Sequence, residues 1–178
     1  MGGKFLQLLR DVVPNASRIG FLRSANNPAT LPAAFFPASS LTAIQLVAVD
    51  IRDPSGVDQA FDTLIRAKVQ ALTSDGDPLT DAQFRRIADF AMKRRLPGMY
   101  PRRQFVDAGG LMSYGPNLYD TWKRAAVHVD KIIKGAKPGD LPVEQPTKFQ
   151  LVINLKAAKT LGLAIPQSVL VRADEIIQ

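Results

Sequence analysis

The sequence predicts an α/β protein built on a doubly wound parallel sheet, and three observations carry that expectation. Short apolar, β-branched runs alternate with stretches whose apolar residues recur at helical spacing. Gly, Pro, Asn and Asp punctuate almost every change of period. Polar residues follow successive strands, at the side where a parallel sheet ends them.

Taken in order, Lys4 to Val13 reads as a helix with Phe5, Leu8, Leu9 and Val12 on one face, stopped by Pro14. Arg18 to Leu22 is a short apolar strand that runs into the turn residues Ser24-Ala25-Asn26-Asn27-Pro28. Thr30 to Ser40 holds Pro32 and Pro37 around Phe35-Phe36. An interior proline costs a helix about 3 kcal/mol, so a short, broken or irregular crossover is expected here. Ile44 to Ile51 is a buried strand. Asp53 or Ser55 caps a helix over 57–67, with Phe61, Leu64 and Ile65 inward.

Val69 to Thr73 is the next strand, followed by Ser74-Asp75-Gly76-Asp77-Pro78. A helix from Asp81 to Arg95 buries Phe84, Ile87, Ala88 and Ala91. Leu96 to Tyr100 is a short strand and Arg102 to Asp107 a linking segment. Leu111 to Tyr114 forms a strand between Gly109-Gly110 and Gly115-Pro116. The period then changes. Asn117 caps a long helix in which Leu118, Trp122, Ala125/Ala126, Val129 and Ile132/Ile133 form a stripe up to Lys134, and Gly135 stops it. Phe149 to Ile153 is a clear strand, Leu155 to Leu161 a helix closed by Gly162, and Pro166 opens a last helix striped by Val169, Leu170, Ala173 and Ile176/Ile177.

Composition narrows the function classes. With 178 residues, 46% hydrophobic and 22% charged, the chain has an ordinary globular composition. No apolar run approaches the roughly 20 residues that span a bilayer, and the start lacks the apolar core of a signal peptide. Zero cysteines exclude disulfides and thiolate metal sites. The net charge of +7 raises a nucleic-acid reading, but the cations are spread along the chain, the densest groups being Lys93-Arg94-Arg95 and Arg102-Arg103. Solvated helix faces explain them, and no nucleic-acid partner is expected.

The single histidine, His128, sits mid-helix and leaves little for a Ser–His–Asp relay or a multi-histidine metal site. No Walker loop, GxGxxG or nucleophile elbow is present. Asp75 and Asp77 flank Gly76 without the rest of a calcium-loop spacing, so neither a metal nor a cofactor is expected. The two carboxylates leave open a small α/β enzyme that uses them for acid/base work. The remaining candidates are strand-end residues: Asn26 and Asn27, Asp75 and Asp77, Tyr100, and Tyr114 with Gly115. On one sheet edge they suit a small zwitterionic or amphipathic molecule, an Asp for an ammonium, helix-start amides for an anion, Tyr for a planar face.

The segments 107–115, 129–138, 141–149 and 152–156 (DAGGLMSYG, VDKIIKGAKP, LPVEQPTKF and VINLK), with Ala164-Ile165-Pro166 and Arg172-Ala173-Asp174-Glu175, resemble the ABC transporter substrate-binding proteins of the tryptophan/tyrosine type. The resemblance runs from about Lys4 to Gln178. It implies a type I periplasmic binding protein: two α/β lobes closing on a ligand, no catalysis, a membrane permease as partner and a periplasmic location. Members begin with an export signal and most of a first lobe, and this chain resembles their remaining length. Residues 1–104 are then expected to form the second lobe, and 105–178 the segment that returns to an incomplete first lobe. The implied cleft residues are Asn26, Asn27, Asp75, Asp77, Tyr100, Tyr114 and Gly115. The same resemblance leaves open a fragment that binds nothing alone, or one that works only as an oligomer through exposed apolar surface on the Tyr114 strand and the Asn117 helix.

Overall fold

The computed structural model describes residues 2–27, 44–146 and 148–178. The crossover expected at Thr30 to Ser40 lies outside them. Seven strands form one sheet: β1 (Arg18–Ser24), β2 (Gln45–Ile51), β3 (Ala71–Ser74), β4 (Gly98–Tyr100), β5 (Met112–Pro116), β6 (Phe149–Asn154) and β7 (Glu175–Ile177). Their order is β2-β1-β3-β4-β5-β6-β7, and all neighbours are parallel except β5 and β6.

Helices cover both faces, as a parallel sheet requires. One face carries α1 (Gly2–Val12), whose Phe5, Leu6, Leu8, Leu9 and Val12 are buried with Ile19, Phe21, Met99, Met112 and Ile153. The helices α7 (Leu155–Leu161) and α8 (Gln167–Leu170) close the same core through Ala157, Ala158 and Val169. The opposite face carries α2 (Val57–Arg66) and α4 (Phe84–Lys93), which bury Val57, Ala60, Leu64, Ile87, Phe90 and Ala91 over Leu22, Ile51 and Leu72. Phe61 stacks on Phe90 at 4.0 Å between ring centroids, so the two helices meet through aromatic faces.

Several expectations need correction. The helix read as continuous over 81–95 begins earlier and is broken: α3 (Pro78–Ala82) is capped by Asp77, and Gln83 leaves helical geometry before α4. Residues 102–107 are not a plain link. They form α5 (Arg103–Asp107), which buries Phe105 and Val106. The last helix stops at Leu170, and Glu175–Ile177 is a strand because β6 has an open edge. There Asp174 Oδ2 accepts from the Leu151 amide at 2.7 Å, and Val152 then pairs with Glu175.

The long helix α6 (Leu118–Ile133) forms as expected, with Asn117 accepting from the Tyr119 and Asp120 amides. Its apolar stripe does not find a core. None of its residues is buried, and Trp122 is 71% and Ile133 80% exposed. The sheet itself runs across the boundary expected at 104/105: Met99 of β4 registers with Met112 of β5, and β6 and β7 extend the same sheet.

Candidate functional site

The parallel strands β1, β3, β4 and β5 end at Ser24, Ser74, Tyr100 and Pro116, so the loops after them share the carboxyl edge of the sheet. There the first and third loops are tied together by carboxylates. Asp75 Oδ2 accepts from the Ser24 amide at 2.7 Å, and its Oδ1 accepts from the Asp77 amide at 3.0 Å and the Thr80 hydroxyl at 2.6 Å. Every one of those donors belongs to the protein, which makes Asp75 a brace between β1 and β3. Asp77 Oδ1 caps α3 through the Leu79 amide at 3.0 Å, and its Oδ2 takes Asn27 Nδ2 at 3.0 Å.

Burial pushes the Asp77 carboxyl up, but the donors Leu79, Asn27 and Ser24 outweigh it and hold the group below its ordinary range. Asp77 therefore stays ionised and keeps lone pairs for a further donor. Asn26 is exposed and turns away from this pair, its Nδ2 donating to the Arg52 carbonyl at 2.9 Å.

Beside the Asn27–Asp77 pair the strand ends are lined by backbone. Gly76 stands at φ +73°, and a Cβ there would meet Pro101 Cγ at 2.8 Å; a Cβ on Gly115 would meet the Pro101 carbonyl oxygen at 2.0 Å. Glycine at both positions lets these three successive loop ends close up on the buried Pro101, making a close-packed floor of backbone and the Pro101 ring.

The two tyrosines lie on opposite faces of the sheet. Tyr114 is half-buried on the α1 side, edge-on to Phe5 at 6.3 Å and stacked on Phe149 at 5.6 Å. Tyr100 is fully buried on the other side, stacked on Phe105 at 4.5 Å. Its ring fills a slot that a Cβ on Gly98 would close at 2.2 Å from the hydroxyl. In this structure no surface of Tyr100 is exposed: strand-end position and the family resemblance both gave it a cleft role, but alternation points its ring into the core. Of the seven candidates, the structure thus brings Asn27, Asp75, Asp77 and Gly115 to one edge, keeps Tyr114 and Asn26 at its margins, and withdraws Tyr100.

One pair was missed by the sequence reading. Arg102 Nε donates to Asp81 Oδ2 at 2.9 Å, both side chains partly exposed, tying the loop after β4 to helix α3. Burial pushes the Asp81 carboxyl up, against the pull of Arg102, while Asp75 and Asp77 push the same way as burial. The signal was available, since Arg102 stands as far past the strand-end Tyr100 as Asn26 stands past Ser24. The edge thus offers three carboxylates, one guanidinium and one amide around the close-packed ends of the loops.

A sheet wound by helices on both faces and polar along its carboxyl edge is a doubly wound α/β fold, and here it matches the periplasmic-binding-protein type. The chain belongs to the ABC transporter substrate binding protein family, whose sequence profile matches residues 3–177. Three solved structures are similar. A conserved domain protein from Vibrio cholerae shares 24% identity at a TM-score of 0.90, over 98% of this chain and 59% of its own. The ABC domain from Streptococcus pneumonia in complex with L-Trp shares 25% at 0.90, over 99% and 60%. A ligand-free, open substrate binding protein with adhesive properties from Clostridium difficile shares 21% at 0.68, over 98% and 59%. The chain therefore spans about three-fifths of the length of these structures. No curated protein matches the sequence.

Proposed function

We propose that this chain is the ligand-gripping lobe of an ABC importer's solute-binding protein of the tryptophan/tyrosine type, taking an amino-acid-like metabolite at the carboxyl edge without chemical conversion. The observation that carries the reading is the Asn27–Asp77 pair beside the Gly76–Pro101–Gly115 floor. It is a carboxylate held in its ionised form at the polar edge of the sheet, which suits an ammonium group. Family membership and the L-Trp held by the Streptococcus neighbour support it. Asp75 does not favour the enzymatic alternative, because its oxygens are occupied by Ser24, Asp77 and Thr80.

The exposed stripe of α6 supports a second element of the reading. In this proposal residues 117–146 belong to another lobe, for which the two-fifths of the neighbours' length not covered here leaves room, and that lobe covers Trp122 and Ile133. The complete binder then works outside the cytoplasmic membrane and hands its solute to a permease, closing by a hinge. Isothermal titration with aromatic and aliphatic amino acids tests it, on the chain alone and joined to a preceding first lobe. Binding that vanishes in Asp77→Ala supports the proposal; no heat from any amino acid with the joined form overturns it. Light scattering separates the oligomer alternative, in which the chain alone self-associates through α6 and binds without a second lobe.

A further inference from the structure

At the amino edge of the sheet, opposite the candidate site, the fold gathers cations that are scattered in sequence. Three adjacent strands start there, and the segments leading into them contribute Arg18 before β1, Arg66 and Lys68 before β3, and Lys93, Arg94 and Arg95 before β4. These junctions are stitched to one another. The Gln70 amide donates to the Arg18 carbonyl at 2.8 Å, Arg18 Nη1 to the Ala67 carbonyl at 3.2 Å, and the Leu72 amide to the Pro97 carbonyl at 2.9 Å. Arg66, Lys68, Lys93, Arg94 and Arg95 are exposed. Among the described residues none of the six pairs with a carboxylate, and the segments 14–19, 65–70 and 92–98 contain no Asp or Glu.

Cations in the last turn of a helix offset its dipole, and that ordinary role accounts for Arg66 and Lys93. It does not account for Lys68 and Arg95. Among the described residues four helices end in a similar turn, in which the residue at the cap or just past it adopts left-handed geometry and the next amide reaches back five residues. After α6 and α7 that residue is glycine, Gly135 at φ 100° and Gly162 at φ 72°, with the Ala136 amide on Lys131 and the Leu163 amide on Ala158. After α2 and α4 it is Lys68 at φ 52° and Arg95 at φ 53°, with the Val69 amide on Leu64 and the Leu96 amide on Ala91. A side chain is strained in this geometry and glycine is not. The chain uses glycine at two such positions and keeps a cation at the two that reach the basic edge.

We infer that this amino edge is an electrostatic docking face for an anionic phospholipid surface. Loop tips from three neighbouring strands present their charges along one rigid edge, and no aromatic residue occurs in the three segments to stack on bases, so a bilayer fits better than a nucleic acid. Ile65, 37% exposed in the last turn of α2, adds an apolar contact. The inference stands apart from the ligand proposal, because the candidate site lies at the other edge.

The test is co-sedimentation of the full chain with vesicles of phosphatidylcholine alone or mixed with phosphatidylglycerol, at low and physiological salt. Binding is expected only with phosphatidylglycerol, and weaker as salt rises. Each cation near such a surface is worth about fivefold, so Lys68→Gly with Arg95→Gly lowers partitioning about 30-fold while raising the melting temperature. The pair Lys134→Gln with Lys137→Gln removes the same charge elsewhere and leaves partitioning within about twofold. An equal loss in that control, binding to phosphatidylcholine alone, or capture by duplex DNA with none by vesicles overturns the inference.

Discussion

Helices α4 and α6 carry the same kind of apolar spacing, and only one of them has a core. α4 buries Ile87, Ala88, Phe90 and Ala91 against the sheet, whereas α6 buries nothing and leaves Tyr119, Trp122 and Ile133 at least 71% exposed. Helical periodicity therefore states which face is apolar and says nothing about what lies opposite. β3 and β4 are parallel, so the connection through α4 has to cross the sheet and packs on it; β5 and β6 are antiparallel, so the connection through α6 needs no such crossing.

The largest effects should separate these two regions. Leu64 is fully buried on the sheet-facing side of α2, and Leu64→Ala should cost about 2–5 kcal/mol, measured by urea unfolding. Trp122→Ala should change the same transition by less than about 0.5 kcal/mol, because its ring already faces water. A cost above about 2 kcal/mol for Trp122→Ala would mean that α6 is packed in solution, by a second copy or by residues outside those described. In a form carrying the proposed first lobe, the same substitution should become costly.

Gly115 sits where the packed sheet hands over to α6. A methyl there would lie 2.0 Å from the Pro101 carbonyl oxygen, which is backbone and cannot swing aside. Gly115→Ala should cost about 1–3 kcal/mol by the same unfolding assay and displace the β4–β5 loop ends. It should also weaken ligand binding more than its stability cost explains. If stability falls and affinity does not, the backbone floor is scaffolding and not a binding surface.

Much of this is legible in the residues alone. Strand runs such as IQLVAVDI and FQLVI name strands through their β-branched residues, although the first lies at the end of the strand order with only Val49 and Ile51 of β2 buried. Asn117 and Gly162 mark helix ends through groups that act within one turn. What failed depended on partners distant in sequence. The Glu175–Ile177 strand exists because β6 offers an edge, a fact not written in residues 166–178. The inward turn of Tyr100 follows from alternation, but the slot that takes its ring needs Gly98 and Phe105 together. The Arg102–Asp81 pair joins a loop and a helix that only strand order makes neighbours.

Caps offer a finer comparison, since Asp77 and Asn117 do the same job in the two regions. Asp77→Ala removes a cap and the Asn27 bond and should cost about 0.5–2 kcal/mol; Asn117→Ala should fall at the lower end, about 0.5 kcal/mol, because α6 frays without disturbing a core. Only the first should alter the acid limb. A carboxyl held low in the folded state adds stability that is present above the unfolded value of about 3.9 and is lost as pH falls through the folded one. Asp77→Ala should therefore flatten the stability decline below about pH 4, followed by urea midpoints across the acid range.

Tyr100→Phe is the smallest and the most discriminating change. The hydroxyl is buried without a partner among the described residues, and burial pushes its pKa up, so it contributes nothing as an acid near neutral pH. Removing an unpaired buried hydroxyl while keeping the ring on Phe105 should leave stability unchanged or raise it by about 1 kcal/mol. Ligand affinity should not move, because the ring lies on the face away from Tyr114 and below the floor. A loss of affinity with intact stability would place the hydroxyl in contact with ligand. The sheet edge would then have to open in solution far enough to turn Tyr100 outward, and the separation between core and site would fail.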